Sequence, residues 1–361
     1  MSESNLLENV VEIQRKLSTL IGVSGHENDV SAFIFNELKQ HADNVWMDKM
    51  GNVLGIKKGT DPDGLRIMID AHMDEVGLLI SYIEKNGFLR FVPLGGIDKR
   101  LYPGSDIKIQ TKSGKTISGI IGMNPPHITD PKLRDISPDH ANLFIDIGAK
   151  DEEEVKNLGI IVGNRAVLDG RFEYNPDIGG GFMRGRAFDD RTGCNVALQV
   201  SKLINDMEPI PNTILYSFTV CEEVGGRGVP AATDGLNPDI GIALENTIAA
   251  DVPGVPLNKQ ITQLEHGPAF SVADRRTLYH EKLLEIFKMR AEELGYSWQY
   301  KQPAFGGTNA GLWHTMHKGI PSGCISVPSR YIHSPIAMIK ISDILATINT
   351  LLAILTKPIE I

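Results

Sequence analysis

Apolar residues recur at intervals of three or four in four segments of the chain. They occupy residues 6–20, the stretch that follows Arg191, residues 278–294 and residues 341–355. This spacing covers one face of a helix with apolar side chains, which is typical of packing against a core. The pattern therefore predicts four helices, of which the first ends near Gly22, and indicates no function for them.

Short apolar runs of the length of strands lie between these helical segments. They occupy residues 65–69, 214–220, 240–244 and 324–327. The runs are rich in Ile, Val and Leu and lack strict alternation with polar residues, as is typical of strands that are covered on both faces. Because helices alternate with buried strands, the chain is predicted to have an α/β fold.

Residues 77–167 have a different pattern. Four β-rich runs, at 78–83, 88–93, 107–111 and 117–121, are separated by turn signals such as the segment 85–87, Lys-Asn-Gly. A helix is indicated only at 151–158. We predict that residues 77–167 form a small β domain inserted into an α/β domain made of residues 1–76 and 168–361. Two domains are the usual expectation for 361 residues.

The charge of the chain excludes some classes of partner. The 36 basic and 45 acidic residues give a net charge of −9, so neither nucleic acid nor an anionic membrane is an expected partner.

The N-terminal segment is polar and does not resemble a secretory signal. The three cysteines, Cys194, Cys221 and Cys324, are far apart, which favours a reducing compartment. We expect a cytoplasmic protein.

The first apolar strand runs into His72, with Asp74 two residues later. Residues two apart on a strand face the same way. Asp74 could therefore accept the second ring N–H of His72 while the other nitrogen binds a metal, an arrangement usual for metal-bound imidazoles. A capped strand end with incidental polar residues is the alternative interpretation.

Two further candidate positions have adjacent carboxylates. Asp189 and Asp190 stand where a helix begins, and there an aspartate either caps the helix or bridges two cations. Glu222 and Glu223 follow the run 214–220, with only Cys221 between. Since buried unpaired carboxylates are unfavourable, this second pair requires cations or solvent. One glutamate could bind a metal while its neighbour takes a proton from the attacking water.

Glu245 follows the run 240–244, and His333 lies shortly after the run 324–327. A lone histidine is more often structural, and His333 gains interest only from the other candidates. In open α/β sheets, sites form outside the carboxyl ends of the strands. Imidazole and carboxylate ligands without cysteine suit zinc, cobalt or manganese. Two such ions about 3.5–4 Å apart can activate a water and polarise a carbonyl together.

Four motifs, AHMDEVG, GRAFDDRTG, CEEVGGRG and RYIHSP, together resemble the M42 peptidases, which include glutamyl and tetrahedral aminopeptidases. The resemblance extends from the first helix to the last. It implies a mixed sheet between helices, as in dinuclear-metal exopeptidases, with a PDZ-like insert. It also implies two divalent ions per subunit (zinc, cobalt or manganese), short peptide substrates, and dimers that assemble into a hollow tetrahedral dodecamer.

The same resemblance implies the metal ligands. Asp189 would bridge the two ions. His72 and Glu245 would complete the shell of one ion, and Glu223 and His333 would complete the shell of the other. Some members of the family have Asp where this chain has Glu245.

The resemblance further implies that Glu222 is the general base, which activates a water bridging the ions, and that Asp74 orients His72. A cis peptide bond is expected after Asp189. Two positions depart from the family pattern, because Asn309 replaces an Asp and Ala337 replaces a Glu that often follows the His-Ser-Pro motif. The amide at 309 carries no charge, so either substrate amine binding or a contact behind the ligands is expected to differ.

Two other functions remain open from the sequence. A related two-metal carboxypeptidase or deacylase would need an arginine or a backbone site that grips a substrate carboxylate. A non-catalytic scaffold could keep the fold and one structural metal. An aminopeptidase requires a free amine on its substrate, which separates it from the carboxypeptidase or deacylase. Two labile ions would separate it from the scaffold.

Overall fold

The structure is a computed structural model that describes residues 2–125, 127–133, 136–207, 209–302 and 306–361. The α-helices are α1 (Glu3–Thr19), α2 (Asn28–Leu38), α3 (Glu152–Asn157), α4 (Phe188–Asn205), α5 (Val229–Leu236), α6 (Glu281–Glu293), α7 (Ala310–Trp313) and α8 (Ile341–Thr356). Within these described ranges, no helix is both long enough and apolar enough to cross a bilayer.

The strands are numbered along the chain. The first nine are β1 (Asn44–Met47), β2 (Val53–Lys57), β3 (Arg66–His72), β4 (Gly77–Ile83), β5 (Leu89–Leu94), β6 (Asp106–Gln110), β7 (Thr116–Gly122), β8 (Phe144–Asp146) and β9 (Arg165–Leu168). The others are β10 (Glu173–Asn175), β11 (Phe182–Gly185), β12 (Thr213–Thr219), β13 (Ile240–Ile248), β14 (Ala269–Ser271), β15 (Gln299–Lys301), β16 (Ser322–Ser329) and β17 (Ala337–Lys340).

The largest sheet has eight strands in the order β1-β2-β12-β3-β13-β16-β14-β15. Its centre, from β12 to β16, is parallel, whereas β2 and β14 pair antiparallel with their central neighbours. Helices α1, α4, α6 and α8 pack on one face, and α5 and α7 pack on the other. The predicted α/β fold, a mixed sheet between helices, is confirmed.

The segment predicted as an insert forms a closed six-stranded barrel in the order β4-β5-β8-β7-β6-β9. The barrel has its own apolar core, which includes Leu78, Ile109 and Ile145. Its first strand begins at Gly77 and its last ends at Leu168, one residue beyond the predicted end of the insert. The division of the chain into two domains and the PDZ-like character of the barrel stay predictions.

A small sheet, β10-β11-β17, connects two segments that carry candidate ligands. Strand β11 leads directly to Arg186 and the start of α4, and β17 follows the loop that contains His333. Gly185 and Ala337 are partners in the register of these two strands. Pairing of β11 with β17 therefore brings the Asp189 segment beside the His333 loop.

Two local predictions differ from the structure, and helices α2, α5 and α7 were not predicted. Helix α6 begins only at Glu281, so Leu278 lies outside its apolar face and is 84% exposed. Strand β13 continues through Ile248 because its polar end still pairs with β16, so Glu245 lies within the strand and not after its end.

Candidate metal centre

The candidate ligands converge at one edge of the large sheet. His72 is the last residue of β3, Glu245 lies in the neighbouring strand β13, and Glu223 follows β12 on the other side of β3. Because these three strands are parallel, their carboxyl ends lie together. Asp189 comes from the first turn of α4, and His333 comes from the loop between β16 and β17.

Two groups of possible ligands share Asp189. One consists of His72, Asp189 and Glu245, and the other of Asp189, Glu223 and His333; within each group the ligand atoms lie within 4.8 Å of one another. Asp189 Oδ1 is 3.3 Å from His72 Nε2, whereas Asp189 Oδ2 is 2.9 Å from His333 Nε2. Each oxygen of one carboxylate therefore faces a different histidine.

In each group, the histidine also lies close to a glutamate. His72 Nε2 is 3.9 Å from Glu245 Oε2, and His333 Nε2 is 3.1 Å from Glu223 Oε1. The carboxylate of Glu223 is shielded from solvent, because the side chain of this residue is only 7% exposed. The donor set is thus two imidazoles and three carboxylates.

Unsatisfied oxygen atoms show that these residues fit metal ions. Asp189 Oδ1 and Glu223 Oε1 are both buried and have no hydrogen-bond partner among the residues that the structure describes. A buried carboxylate oxygen without a partner is unfavourable. A divalent cation in each group would satisfy one of these atoms: Asp189 Oδ1 in the group with His72, and Glu223 Oε1 in the group with His333.

At the start of α4, an aspartate could either cap the helix or bridge two cations, and the two aspartates there differ in this respect. Ala187, not an aspartate, is the residue before the first turn, and Asp189 is non-helical with ψ of 109°. The next carboxylate behaves as a cap, since Gly193 N–H donates to Asp190 Oδ1 at 3.0 Å. The peptide bond between Asp189 and Asp190 is cis, as expected from the resemblance.

Both histidines lie in a field of carboxylates. Burial opposes charge on His72, but Asp189 and Asp74 outweigh it and raise the pKa of the imidazole well above its usual value. Burial likewise opposes charge on His333, yet Asp189 and Glu223 raise its pKa to about 11. The carboxylates therefore favour positive charge at both histidines.

Glu222 lies beside this cluster without belonging to either ligand group. Burial raises the pKa of its carboxyl group to about 7; His72 opposes that shift, whereas Glu223 and Asp74 add to it. A carboxyl group that titrates near neutral pH is suited to taking up a proton and returning it.

Asp74 is fully buried and holds the turn that carries the two glutamates. Its carboxylate accepts hydrogen bonds from the Ser24 hydroxyl at 2.6 Å and from the backbone N–H groups of Glu222 at 2.8 Å and Glu223 at 3.1 Å. His72 Nδ1 is 3.0 Å from the Asp74 carbonyl oxygen and 3.4 Å from its carboxylate. The backbone carbonyl, rather than the expected carboxylate, is thus the nearer acceptor for the ring.

Asn309 lies behind the candidate ligands. It is buried, and its Nδ2 donates to Asp70 Oδ2 at 2.8 Å and to Thr219 Oγ1 at 2.7 Å. Burial raises the pKa of Asp70 to about 6, although the hydrogen bonds from Ser217 and Asn309 oppose this shift. Asn309 therefore donates a hydrogen bond to the Asp70 carboxylate on β3, at a position where the family pattern has a charged aspartate.

Comparison with known sequences adds a decisive observation. The sequence profile described as M42 glutamyl aminopeptidase matches residues 51–350, a span that contains every candidate ligand. The chain belongs to the M42 peptidase family. It is an aminopeptidase, which is a hydrolase of peptide bonds.

Individual aminopeptidases and peptidases are similar to this chain along nearly its whole length. The glutamyl aminopeptidase of Lactococcus lactis is 29% identical over 348 residues, with 95% of each chain covered. An aminopeptidase structure from the archaeon Desulfurococcus kamchatkensis has a TM-score of 0.92 at 35% identity, covering 98% of this chain and 96% of that one. The Pyrococcus horikoshii TET1 peptidase, described as able to assemble into a tetrahedron or a large octahedral shell, has a TM-score of 0.83 at 28% identity, covering 97% of this chain and 100% of that one.

The M42 motifs contain a buried ion-pair cluster that sequence reasoning missed. The carboxylate of Glu75 pairs with Arg186 and Arg191, and all three side chains are buried. The two arginines flank Asp189 in sequence, while Glu75 lies three residues after His72. The cluster therefore connects the segments that carry two candidate ligands. The motifs did contain a signal for this cluster, because Arg186 and Arg191 stand close to Asp189 in sequence without an assigned role.

A contact from the barrel was also missed. His333 Nδ1 is 2.8 Å from the carbonyl oxygen of Gly96, which follows β5. A backbone carbonyl has no side chain by which a sequence pattern could indicate it. The ring of His72 is thus oriented by a carbonyl two residues along its own segment, and the ring of His333 by a carbonyl that follows barrel strand β5.

Proposed function

We propose that this M42 aminopeptidase uses two divalent metal ions to hydrolyse the N-terminal peptide bond of short peptides. The proposed ligands are His72, Asp189, Glu223, Glu245 and His333. The observation that carries the proposal is that the two oxygen atoms of Asp189 face different imidazoles, each with a further carboxylate beside it. Zinc and cobalt suit these ligands best, and manganese is the alternative. Bound ions would polarise the scissile carbonyl and make water more acidic.

Glu222 acts as the general base in this proposal. Its carboxylate takes a proton from the attacking water and returns it to the leaving amine, so that the residue ends in its initial state. A pKa of about 7, raised chiefly by burial, supports a group that can perform both transfers at neutral pH. Asp74 supports this role as a positioning residue, because it binds the backbone N–H of Glu222.

The pairing of the buried arginines disfavours a substrate that is bound by its carboxylate. A carboxypeptidase would need a cation that reaches the substrate carboxylate. The arginines nearest to Asp189 in sequence are unsuited to that task, since Arg191 is 0% and Arg186 is 4% exposed and both pair with Glu75. Neither arginine is thus available to bind a substrate carboxylate, which favours a substrate recognised by its N-terminus over one recognised by its C-terminus.

Replacement of the base tests the mechanism. General bases contribute about 10²–10⁴-fold to rate, so Glu222→Gln should lower kcat at least about 100-fold. Metal content, measured by mass spectrometry, should stay at the wild-type value because Glu222 is not a proposed ligand. Full activity in this variant would reject the role.

A substrate pair tests the class of peptidase. The wild-type enzyme should release the first residue of a short peptide with a free N-terminus and leave the N-acetylated form of the same peptide intact. Cleavage of both forms, or release of the C-terminal residue, would favour the deacylase or carboxypeptidase alternative.

We also propose that the chain forms homo-oligomers in the cytoplasm, with dimers that assemble into a tetrahedral dodecamer through a PDZ-like inserted domain. The assembly described for the Pyrococcus horikoshii relative supports this proposal. Light scattering after size-exclusion chromatography should give the mass of a dodecamer rather than the 39.6 kDa of one chain. A monomer at micromolar concentration would contradict the proposal.

A further inference from the structure

The ring of His333 donates a hydrogen bond to a backbone carbonyl of the inserted barrel. The carbonyl oxygen of Gly96 is 2.8 Å from His333 Nδ1, while Nε2 of the same ring faces Asp189 and Glu223. A histidine whose Nδ1–H donates to a carbonyl presents an unprotonated Nε2, and its ring is held in one orientation. The barrel thus sets which nitrogen of His333 is available as a ligand.

The neighbouring glycine lies against the other ligand of the same group. Gly95 has φ of +80°, and a Cβ added there would lie 3.3 Å from the Cβ of Glu223 and 2.7 Å from Cγ1 of Val76. A side chain at 95 would therefore meet both neighbours, in a backbone conformation that residues other than glycine rarely adopt. The close approach requires glycine at this position.

The segment that carries these glycines is anchored to the catalytic part of the chain. Leu94, which precedes Gly95, packs against Ile21, Val23 and Val167. Elsewhere in the barrel, Gln110 Nε2 donates to Asp29 Oδ2 at 2.7 Å. These contacts fix the barrel relative to the large sheet, so the position of the Gly96 carbonyl is determined by the fold.

A small cavity lies where the barrel meets the centre. Val76 and Ile97, which bracket the barrel strands β4 and β5, line it together with Asp189 and His333. The barrel therefore forms part of the wall beside the proposed ligands, in addition to the hydrogen bond to His333.

We propose that the inserted barrel completes the active centre. Its segment 95–96 is a positioning element that orients His333 and packs against Glu223, so that displacing this segment weakens the ion on the His333 side selectively. The inference rests on the proposed two-metal function. It assigns to the barrel a part in metal binding that is separate from any part in assembly.

A matched pair of glycine variants tests the inference. Gly95→Ala introduces the Cβ described above. Gly104→Ala introduces the same change in the same barrel at φ of +79°, where a Cβ would have no neighbour within 4 Å. Both variants have the same backbone conformation to satisfy, and only the first displaces the segment beside Glu223 and His333.

Cobalt titration, followed by the visible absorption of the bound ions, is the measurement. Loss of a group that orients a ligand typically weakens metal binding by about 10–100-fold. The dissociation constant of the weaker-bound cobalt should rise by that factor in Gly95→Ala, with a changed visible spectrum, and should stay within about threefold of wild type in Gly104→Ala. Equal dissociation constants in wild type and Gly95→Ala, or equal losses in both variants, would overturn the inference.

A measurement on the wild-type chain covers the case in which Gly95→Ala does not fold. Coupling between two sites is reciprocal, so if the barrel segment favours metal binding, the metal must favour the ordered segment. Addition of cobalt should slow hydrogen exchange in the peptide that contains residues 94–98 and leave the peptide around Gly104 unchanged. Unchanged exchange at 94–98 would overturn the inference.

The same titration separates this inference from the proposed function. Wild-type protein that binds fewer than two cobalt ions per chain would overturn the two-metal function and the inference with it. Two ions in wild type, with no selective loss in Gly95→Ala, would leave the proposed function standing and overturn only the role of the barrel.

Discussion

The two halves of the candidate metal pair are built in different ways. On one side, the side chains of His72 and Glu245 are 2% and 9% exposed and belong to neighbouring parallel strands at the centre of the sheet. On the other side, His333 is 34% exposed, lies in a loop with φ of +58°, and is oriented by the barrel. Ligands on strands are held more firmly than ligands on loops. We therefore expect a tightly bound ion beside His72 and a more readily exchanged ion beside His333.

Removal of the shared ligand should have the largest effect, because it should weaken both metal sites and so remove the difference between them. Asp189→Ala removes an oxygen from each group, so bound cobalt should fall from two ions per chain to fewer than one, as measured by mass spectrometry. Asp206→Ala, an exposed change just beyond the other end of α4, is the control and should keep both ions. Retention of two ions in Asp189→Ala would show that the aspartate is not shared.

Replacement of each histidine in turn should reveal the difference in metal affinity between the two sites. His333→Ala should keep one tightly bound cobalt per chain, because the buried group beside His72 is untouched. His72→Ala should leave only weakly held metal, since the one remaining imidazole, that of His333, is 34% exposed and lies in a loop. The order of the two residual affinities, measured by titration calorimetry, tests the expectation, and stronger residual binding in His72→Ala would reverse it.

The buried ion pairs behind Asp189 should matter more than ion pairs at the surface. Glu75→Gln leaves Arg186 and Arg191 buried without a counter-charge, and loss of one partner in a buried pair is expected to lower the free energy of unfolding by about 3 kcal/mol or more. Glu293→Gln, in the partly exposed pair with Arg290, should change it by less than about 1 kcal/mol. Denaturant unfolding measures both values, and equal values would contradict the distinction.

The smallest expected effect concerns the contact behind His72. Asn309→Asp replaces the donor to Asp70 by a second acceptor and should lower the free energy of unfolding by about 1–3 kcal/mol. The exchanged pair Asp70→Asn with Asn309→Asp restores one donor and one acceptor, and should recover most of the loss. Failure of the double variant to recover any stability would show that the two residues do not act as a pair.

The chemistry of the candidate site could be predicted from the sequence because it is carried by side chains. Runs of Ile, Val and Leu gave the central strands, and the His, Asp and Glu residues that follow them stood out against these runs. The α/β fold and the M42 resemblance are confirmed. The metal-binding roles of the individual residues stay predictions, although His72, Asp189, Glu223, Glu245 and His333 lie close together.

The supporting contacts could not be predicted, for physical reasons. The contact of His333 with Gly96 is made by a backbone carbonyl across 237 positions of sequence. Glu245 was expected after its strand, because a polar residue at the end of an apolar run resembles a loop; pairing of β13 with β16 extends the strand beyond it. Such features depend on which elements become neighbours, and the local pattern does not contain that information.

Anomalous diffraction from crystals loaded with cobalt tests the central claim most directly. Data collected at the cobalt absorption edge should contain two peaks per chain, about 3.5–4 Å apart, on either side of the Asp189 carboxylate. One peak should lie beside His72 and the other beside His333. A single peak, or peaks remote from Asp189, would contradict the account.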